Sequence, residues 1–220
     1  MGTRSSYGFR SEGKDYLMYS QFDGYPTGLG LHLMNQLKDL TACNMKTGVA
    51  RLVAVDEDAE PKDVLENEEY QELFEMFHKE VSNGSDWYSF LRGSQQNISV
   101  YFTEEKPLKY FIEANNFIHD SLFCEYAYIV NLDTEMLEFY RGCNTSINSG
   151  RYTEMDSGGK YKSCFFVGEI PLSVLQTSTP EKNSEFCQKL EEYMDSIENK
   201  ECLESFNKSL DFQSKLENMA

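Results

Sequence analysis

Two tyrosine-rich apolar runs on either side of a short polar turn constrain the fold of this chain most strongly. Residues 125–131 read Glu-Tyr-Ala-Tyr-Ile-Val-Asn, residues 136–140 read Met-Leu-Glu-Phe-Tyr, and Leu-Asp-Thr-Glu lies between them. Aromatic and β-branched residues flanking so short a polar segment are typical of a β-hairpin. Two further aromatic runs, 7–10 and 16–19, flank the turn signal Ser11–Lys14 and predict another hairpin.

The arrangement of these segments predicts an α+β fold. Hairpins with helices set apart from them indicate a sheet dominated by antiparallel pairs, and we expect both hairpins to share one antiparallel sheet. The chain has no βαβ pattern, so a doubly wound parallel sheet is not expected. Additional strands are predicted at 52–55, 97–102 and 163–170.

Helical spacing follows the first hairpin and returns near the carboxyl end. Four leucines after Gly28 repeat at the helical period, and Thr27 is the predicted N-cap of this helix. Apolar residues from Pro180 onward also follow a helical pattern. We therefore predict an α+β domain over residues 1–179 and a helical extension over 180–220 that packs on the sheet. The alternative is that this extension docks a partner.

The net charge of −17 restricts the class of partner. Binding to nucleic-acid phosphates depends on Lys and Arg, so direct nucleic-acid binding is not expected. Residues 56–80 hold eleven acidic residues against two lysines, a local net charge of −9, and predict an amphipathic helix with an acidic outer face. Glu68, Glu69 and Glu72 are the predicted contacts for a protein partner with a basic surface. Alternatively, the block is a solvated face that only aids solubility.

Composition also limits the compartment and the chemistry. The chain has no apolar stretch of about 18 residues and no visible secretory signal, so we expect a cytoplasmic protein without membrane contact. The six cysteines are irregularly spaced, which predicts free interior thiols. The three histidines lie far from any cysteine pair, so no metal site is expected, and no motif calls for a cofactor. Whether the chain is an enzyme stays open, with the balance toward a non-enzymatic protein.

The loop after the first hairpin is the candidate site for a small ligand. Arg4 opens the first strand and Asp23 follows the second, so the antiparallel pairing brings them together. One interpretation is an ion pair that clamps the loop. The other is a polar pocket lined by Arg4, Asp23 and Tyr25, in which Thr27 and Gly28 at the helix start hold a nucleotide-like anion.

The same loop carries a resemblance. The chain opens Met-Gly-Thr-Arg-Ser, and residues 19–30 read Tyr-Ser-Gln-Phe-Asp-Gly-Tyr-Pro-Thr-Gly-Leu-Gly. This pattern resembles an uncharacterised family of small bacterial and phage proteins whose members share the opening and a Tyr-x-Gln-Phe-Asp-Gly-Tyr-Pro-x-Gly-x-Gly stretch. A weaker likeness lies in the tyrosine-rich strand at 125–128. The resemblance implies a shared fold and a bacterial or phage setting, in which the cytoplasm is that of the host cell, and it implies no activity.

Three classes of function are consistent with these features. The leading hypothesis is an acidic interaction protein that binds, and thereby inhibits, a host or defence component. The second is a small-ligand protein or enzyme that uses the loop of Arg4, Asp23 and Tyr25 for a nucleotide-like anion. The third is a structural or virion-associated component.

Overall fold

A computed structural model describes residues 2–56, 96–102, 107–153 and 160–197. Within these ranges the strands are β1 (Ser5–Ser11), β2 (Lys14–Ser20), β3 (Val53–Val55), β4 (Tyr110–Ile112), β5 (Tyr126–Asn131), β6 (Met136–Arg141) and β7 (Phe165–Pro171). They form a five-stranded sheet in the order β2-β1-β5-β6-β7 and a separate two-stranded sheet of β3 and β4.

The α+β class and both predicted hairpins are confirmed. β1 pairs with β2 and β5 with β6 in antiparallel register, and β7 extends the sheet antiparallel to β6. The two hairpins meet through a parallel pair, in which Ser5 of β1 lies opposite Tyr126 of β5. The sheet is therefore mixed but mostly antiparallel, which agrees with the predicted antiparallel-dominated fold, and the parallel pair that joins the two hairpins is an addition to that prediction.

Hydrogen bonds join the turn of the first hairpin to the turn of the second. Glu12 and Gly13 both adopt positive φ, as a tight two-residue hairpin turn requires. Their N–H groups donate to the Asp133 carboxylate in the second hairpin turn, at 2.7 and 3.0 Å. The Gly13 and Glu12 N–H groups lower the pKa of this carboxyl group, because they stabilise its charged form. This contact fixes the two hairpins side by side.

Helices cover one face of the large sheet. A π-helical turn at Pro26–Gly30 leads directly into the first α-helix. The largest helix begins at Pro180, and Thr179 caps it by accepting from the Lys182 N–H. Leucine and methionine side chains of these helices pack on Tyr128 and Phe139 of the sheet. The α-helices are α1 (Leu31–Leu37), α2 (Ala42–Val49), α3 (Leu172–Thr177) and α4 (Pro180–Ser196).

The other face of the large sheet is covered by loops. Leu17, Ile129 and Tyr140 form a second apolar cluster with residues of the connecting segments, namely Ile118, Cys124, Tyr152 and Cys164. Both faces of β5 are thus buried, and every residue of that strand is buried. This burial on both sides explains why the strand is apolar at consecutive positions instead of alternating.

The prediction of a strand at 97–102 is wrong. Ile98–Tyr101 forms a 3₁₀ helix, and Asn97 is its N-cap. The Asn97 carboxamide accepts from the Ser99 N–H at 3.2 Å and from the Ser99 hydroxyl at 2.5 Å. Such a local side-chain bond competes with strand pairing and holds the backbone in a turn. The alternating β-branched residues suggested a strand, because side-chain alternation carries no information about the hydrogen bonds between Ser99 and the Asn97 side chain.

The remaining predictions of secondary structure, membrane helices and cysteines can be compared with the structure directly. The strands predicted at 52–55 and 163–170 correspond to β3 and β7, and the helix predicted from Pro180 corresponds to α4. Within the described ranges, no helix is both long and apolar enough to cross a membrane. The described cysteines are free thiols: Cys43, Cys124, Cys143, Cys164 and Cys187. The prediction that these thiols lie in the interior is wrong for Cys43 and Cys143, which are exposed.

Candidate functional site at the amino-terminal end of the sheet

The predicted ion pair between Arg4 and Asp23 does not form. Among the described residues, Arg4 places its guanidinium carbon 4.5 Å from the centre of the Phe123 ring. The exposed Asp23 carboxylate accepts from the Tyr25 hydroxyl at 3.2 Å. The predicted adjacency of the two chain segments is nevertheless present, since the Gly24 N–H donates to the Thr3 carbonyl at 2.9 Å. The main chain, and not a salt bridge, joins the loop to β1.

The predicted anion position at the helix start is occupied by the protein itself. Thr27 lies inside the first helical turn and does not cap it; its N–H and hydroxyl donate to Glu191 Oε2 at 3.0 and 2.6 Å. The N–H groups of the next three residues, Gly28, Leu29 and Gly30, donate to backbone carbonyls of Asp23 and Tyr25. The carboxylate of Glu191 on α4 therefore takes the place of an external anion and joins α4 to this loop.

The interior of the loop is filled. A Cβ atom at Gly28 would lie 2.3 Å from the Asp23 carbonyl oxygen and 2.9 Å from the Tyr25 ring. Gly24 is buried, and its carbonyl accepts from the Tyr128 hydroxyl at 2.8 Å. Since these groups contact one another directly, the loop acts as a structural joint between β2 and α1. The small-ligand site at Arg4, Asp23, Tyr25, Thr27 and Gly28 stays a prediction.

Removal of the Thr27 hydroxyl is expected to weaken this joint. Thr27→Val keeps the side-chain shape but leaves Glu191 with only the N–H donor, so the free energy of unfolding should fall by about 1–2 kcal/mol. Thr47→Val is the matched control, because the Thr47 hydroxyl bonds a carbonyl on the exposed side of α2. Urea unfolding of both variants measures the difference, and equal stabilities would show that the Thr27–Glu191 contact contributes nothing.

A cluster of exposed apolar side chains lies at the same end of the sheet. Phe22, Leu122 and Phe123 are 56%, 42% and 42% exposed, and they are the exposed large hydrophobic residues of the described ranges. Phe22 follows β2, whereas Leu122 and Phe123 precede β5. We call Phe22, Leu122, Phe123 and the stacked Arg4 the apolar patch.

The segment 2–4 joins the two halves of the apolar patch. This segment extends β1 toward the amino terminus through backbone hydrogen bonds on both sides. The Thr3 carbonyl accepts from the Gly24 N–H, and the Arg4 carbonyl accepts from the Glu125 N–H at 3.0 Å. A Cβ atom at Gly2 would lie 2.5 Å from Phe22 Cδ1, and the Arg4 side chain covers Phe123. Alternate residues of an extended chain point to the same side, so Phe22 and Phe123 flank one strip of surface.

The rim of the apolar patch is acidic. Asp23, Asp120 and Glu125 are its sequence neighbours, and the first two are exposed. Counting these three carboxylates against Arg4 gives a local formal charge of 1 − 3 = −2. Acidic residues therefore border the exposed apolar side chains at this end of the sheet.

A cluster of buried polar side chains lies on the loop-covered face of the sheet, and the sequence analysis did not predict it. Glu138 of β6 has a 5% exposed side chain and bonds Arg151 at 2.7 Å. The same carboxylate accepts from Asn131 at 2.7 Å and from the Tyr140 hydroxyl at 3.0 Å. Burial and the nearby charge of Glu138 raise the pKa of Tyr140. Glu138 lies on β6 and Arg151 lies in the 142–153 loop, so their ion pair fixes this loop to the sheet.

The sequence did contain one signal for this cluster. Glu138 is the only charged residue inside the run Met-Leu-Glu-Phe-Tyr at 136–140. A charge within a buried strand requires a partner, but the spacing along the chain did not indicate which residue provides it.

Three further predictions concern the partner contacts, a metal site and the family resemblance. The predicted contacts Glu68, Glu69 and Glu72 lie outside the described residues. Across the described ranges, no three His, Cys, Asp or Glu side chains are arranged to hold a metal ion. Comparison with protein-family models, curated proteins and solved structures gives no match to this chain. The resemblance to the bacterial and phage family therefore stays a prediction.

Proposed function

We propose that this chain is an acidic interaction protein that binds a protein partner through the apolar patch. The observation that carries the proposal is that two exposed side chains from separate loops, Phe22 and Phe123, lie against the same extended segment 2–4. Exposed aromatic side chains next to arginine are enriched where proteins bind one another, and residues of these types dominate binding energies.

Charge supports a partner with a basic rim around an apolar centre. The rim of the patch carries a local charge of −2 and the whole chain −17. Long-range attraction would therefore steer a basic surface toward the patch, whereas two copies of this chain repel each other. A partner held in this way would have its basic surface covered, and we expect this to inhibit a host or defence component. The bacterial or phage setting is supported by the resemblance alone.

The test compares variants of the full chain. Proteins retained from a bacterial lysate are identified, and the dissociation constant of the purified candidate is measured for wild type, Phe22→Ser and Phe123→Ser. Each substitution is expected to weaken binding at least about tenfold, since a central aromatic anchor contributes about 2 kcal/mol or more. Higher salt should slow association. The patch residues are exposed, so the variants should remain folded.

Val174→Ser is the control, because Val174 is a half-buried apolar residue on α3, at the opposite end of the sheet. A candidate that binds all four proteins equally would contradict the proposal. The alternative is that a second copy of this chain binds the apolar patch, and sedimentation of the purified protein alone tests it by measuring the oligomeric state. A monomer is expected, and a dimer that Phe22→Ser dissociates would show that a second copy covers the patch.

A further inference from the structure

Two glutamates face each other across the last strand pair of the large sheet. Glu138 of β6 lies opposite Glu169 of β7 in the antiparallel register. Side chains that are directly opposite in such a pair point to the same face, with their Cβ atoms about 5 Å apart. Both carboxylates therefore lie on the loop-covered face, where Glu138 is buried and Glu169 is half-buried.

The two carboxylates have unequal surroundings. Glu138 accepts from Asn131 at 2.7 Å and from the Tyr140 hydroxyl at 3.0 Å, and it pairs with Arg151 at 2.7 Å. In the part of the chain that the structure describes, the Glu169 carboxylate has no hydrogen-bond donor and no ion pair of its own. A proton taken up by this pair therefore goes to Glu169.

The positive charge near the pair is shared. The charged groups that act on Glu169 are Glu138 and Arg151. Arg151 also lies 3.9 Å from the Asp15 carboxylate of β2, which pairs with Arg10 at 2.8 Å. The helix that follows β7, α3, contains no charged residue. One guanidinium thus faces both glutamates at neutral pH, and it is bonded to only one of them.

We propose that this glutamate pair is a pH-sensitive contact, in which Glu169 takes up a proton on mild acidification and the pairing of β7 with β6 becomes stronger. Like charges directly opposite each other on neighbouring strands destabilise the sheet. Protonation of Glu169 removes this repulsion, while Glu138 keeps its three donors. Burial, followed by the charge of Glu138, accordingly raises the pKa of Glu169.

The direction of the pH effect follows from this arrangement. In the unfolded chain Glu169 titrates at the ordinary value for glutamate, about 4.3, whereas the folded protein binds the same proton at a higher pH. Between these two values the folded state holds more protons than the unfolded state. The stabilisation is therefore complete below the unfolded pKa and is lost as the pH rises through the folded pKa.

Urea unfolding of the full chain at pH 7 and pH 5 tests the proposal. Glu169→Gln keeps the side-chain shape and cannot ionise. Between pH 7 and pH 5, the unfolding equilibrium constant of wild type should fall about two- to fivefold more than that of Glu169→Gln, which is the size of one cross-strand pair. Glu192→Gln is the matched control, because Glu192 is exposed on α4 and its loss changes the net charge equally. This control should keep the pH dependence of wild type.

A second measurement follows the side-chain carboxyl carbon of Glu169 by NMR during a pH titration. Its midpoint should lie above that of glutamate in a short peptide, and it should fall in Glu138→Gln, in which Arg151 faces a single carboxylate. Equal pH dependence of wild type and Glu169→Gln would overturn the proposal, and so would an ordinary midpoint for Glu169. Neither readout needs a binding partner, so the outcome is independent of the proposed interaction.

Discussion

Replacement of Arg151 with alanine is expected to lower the free energy of unfolding by about 3 kcal/mol. The substitution leaves the Glu138 carboxylate, whose side chain is 5% exposed, without its cation. Asn131 and Tyr140 still donate hydrogen bonds to it, but neither carries a balancing charge. Breaking a buried pair by removing one partner costs about 3–5 kcal/mol, because the remaining charge stays desolvated. Urea unfolding followed by far-UV circular dichroism measures the loss.

The paired variant separates this interpretation from a simple loss of packing. Glu138→Leu combined with Arg151→Met removes both charges and should recover more than half of the stability, since apolar replacements of a buried pair are often neutral. The exposed pair of Lys46 and Glu135 provides the control. Lys46→Ala should cost less than about 1 kcal/mol. If Arg151→Ala cost no more than Lys46→Ala, the loop would not depend on the Glu138–Arg151 contact.

Gly28→Ala is expected to destabilise the protein by about 2 kcal/mol, which lowers the melting temperature by roughly 4–8 °C in a chain of this size. The added methyl group would lie 2.3 Å from the Asp23 carbonyl oxygen, which accepts from Leu29. Backbone must therefore shift, and the cost exceeds the gain of about 1 kcal/mol that alanine usually has over glycine in a helix.

Gly168→Ala is the matched control for this substitution, because a Cβ atom at Gly168 of β7 meets no atom within 4 Å. Its melting temperature should equal or exceed that of wild type, since alanine restricts the unfolded chain. Differential scanning calorimetry compares the two variants. An unchanged melting temperature for Gly28→Ala would show that the loop relaxes freely, and that the glycine is not required by close packing.

The loop between β2 and α1 shows how far sequence reasoning reached for the candidate site. The turn residues of 22–28 correctly placed a tight connection next to the start of β1, because glycine and proline restrict the local backbone whatever the rest of the chain does. The partners of the polar groups were not predictable in this way. Glu191 contacts Thr27 across 164 positions of sequence, and Arg4 contacts a phenylalanine instead of Asp23.

The sequence alone determined the hairpins, the helix starting at Pro180 and the α+β class. Each of these follows from side-chain alternation, helical spacing or turn residues within a dozen positions. Only the tertiary structure decided that β1 and β5 pair in parallel, that Glu138 meets Arg151, and that Phe22 and Phe123 share one surface. These contacts join segments far apart in sequence. Their energies depend on distance in space, burial and mutual charge, which leave no periodic pattern along the chain.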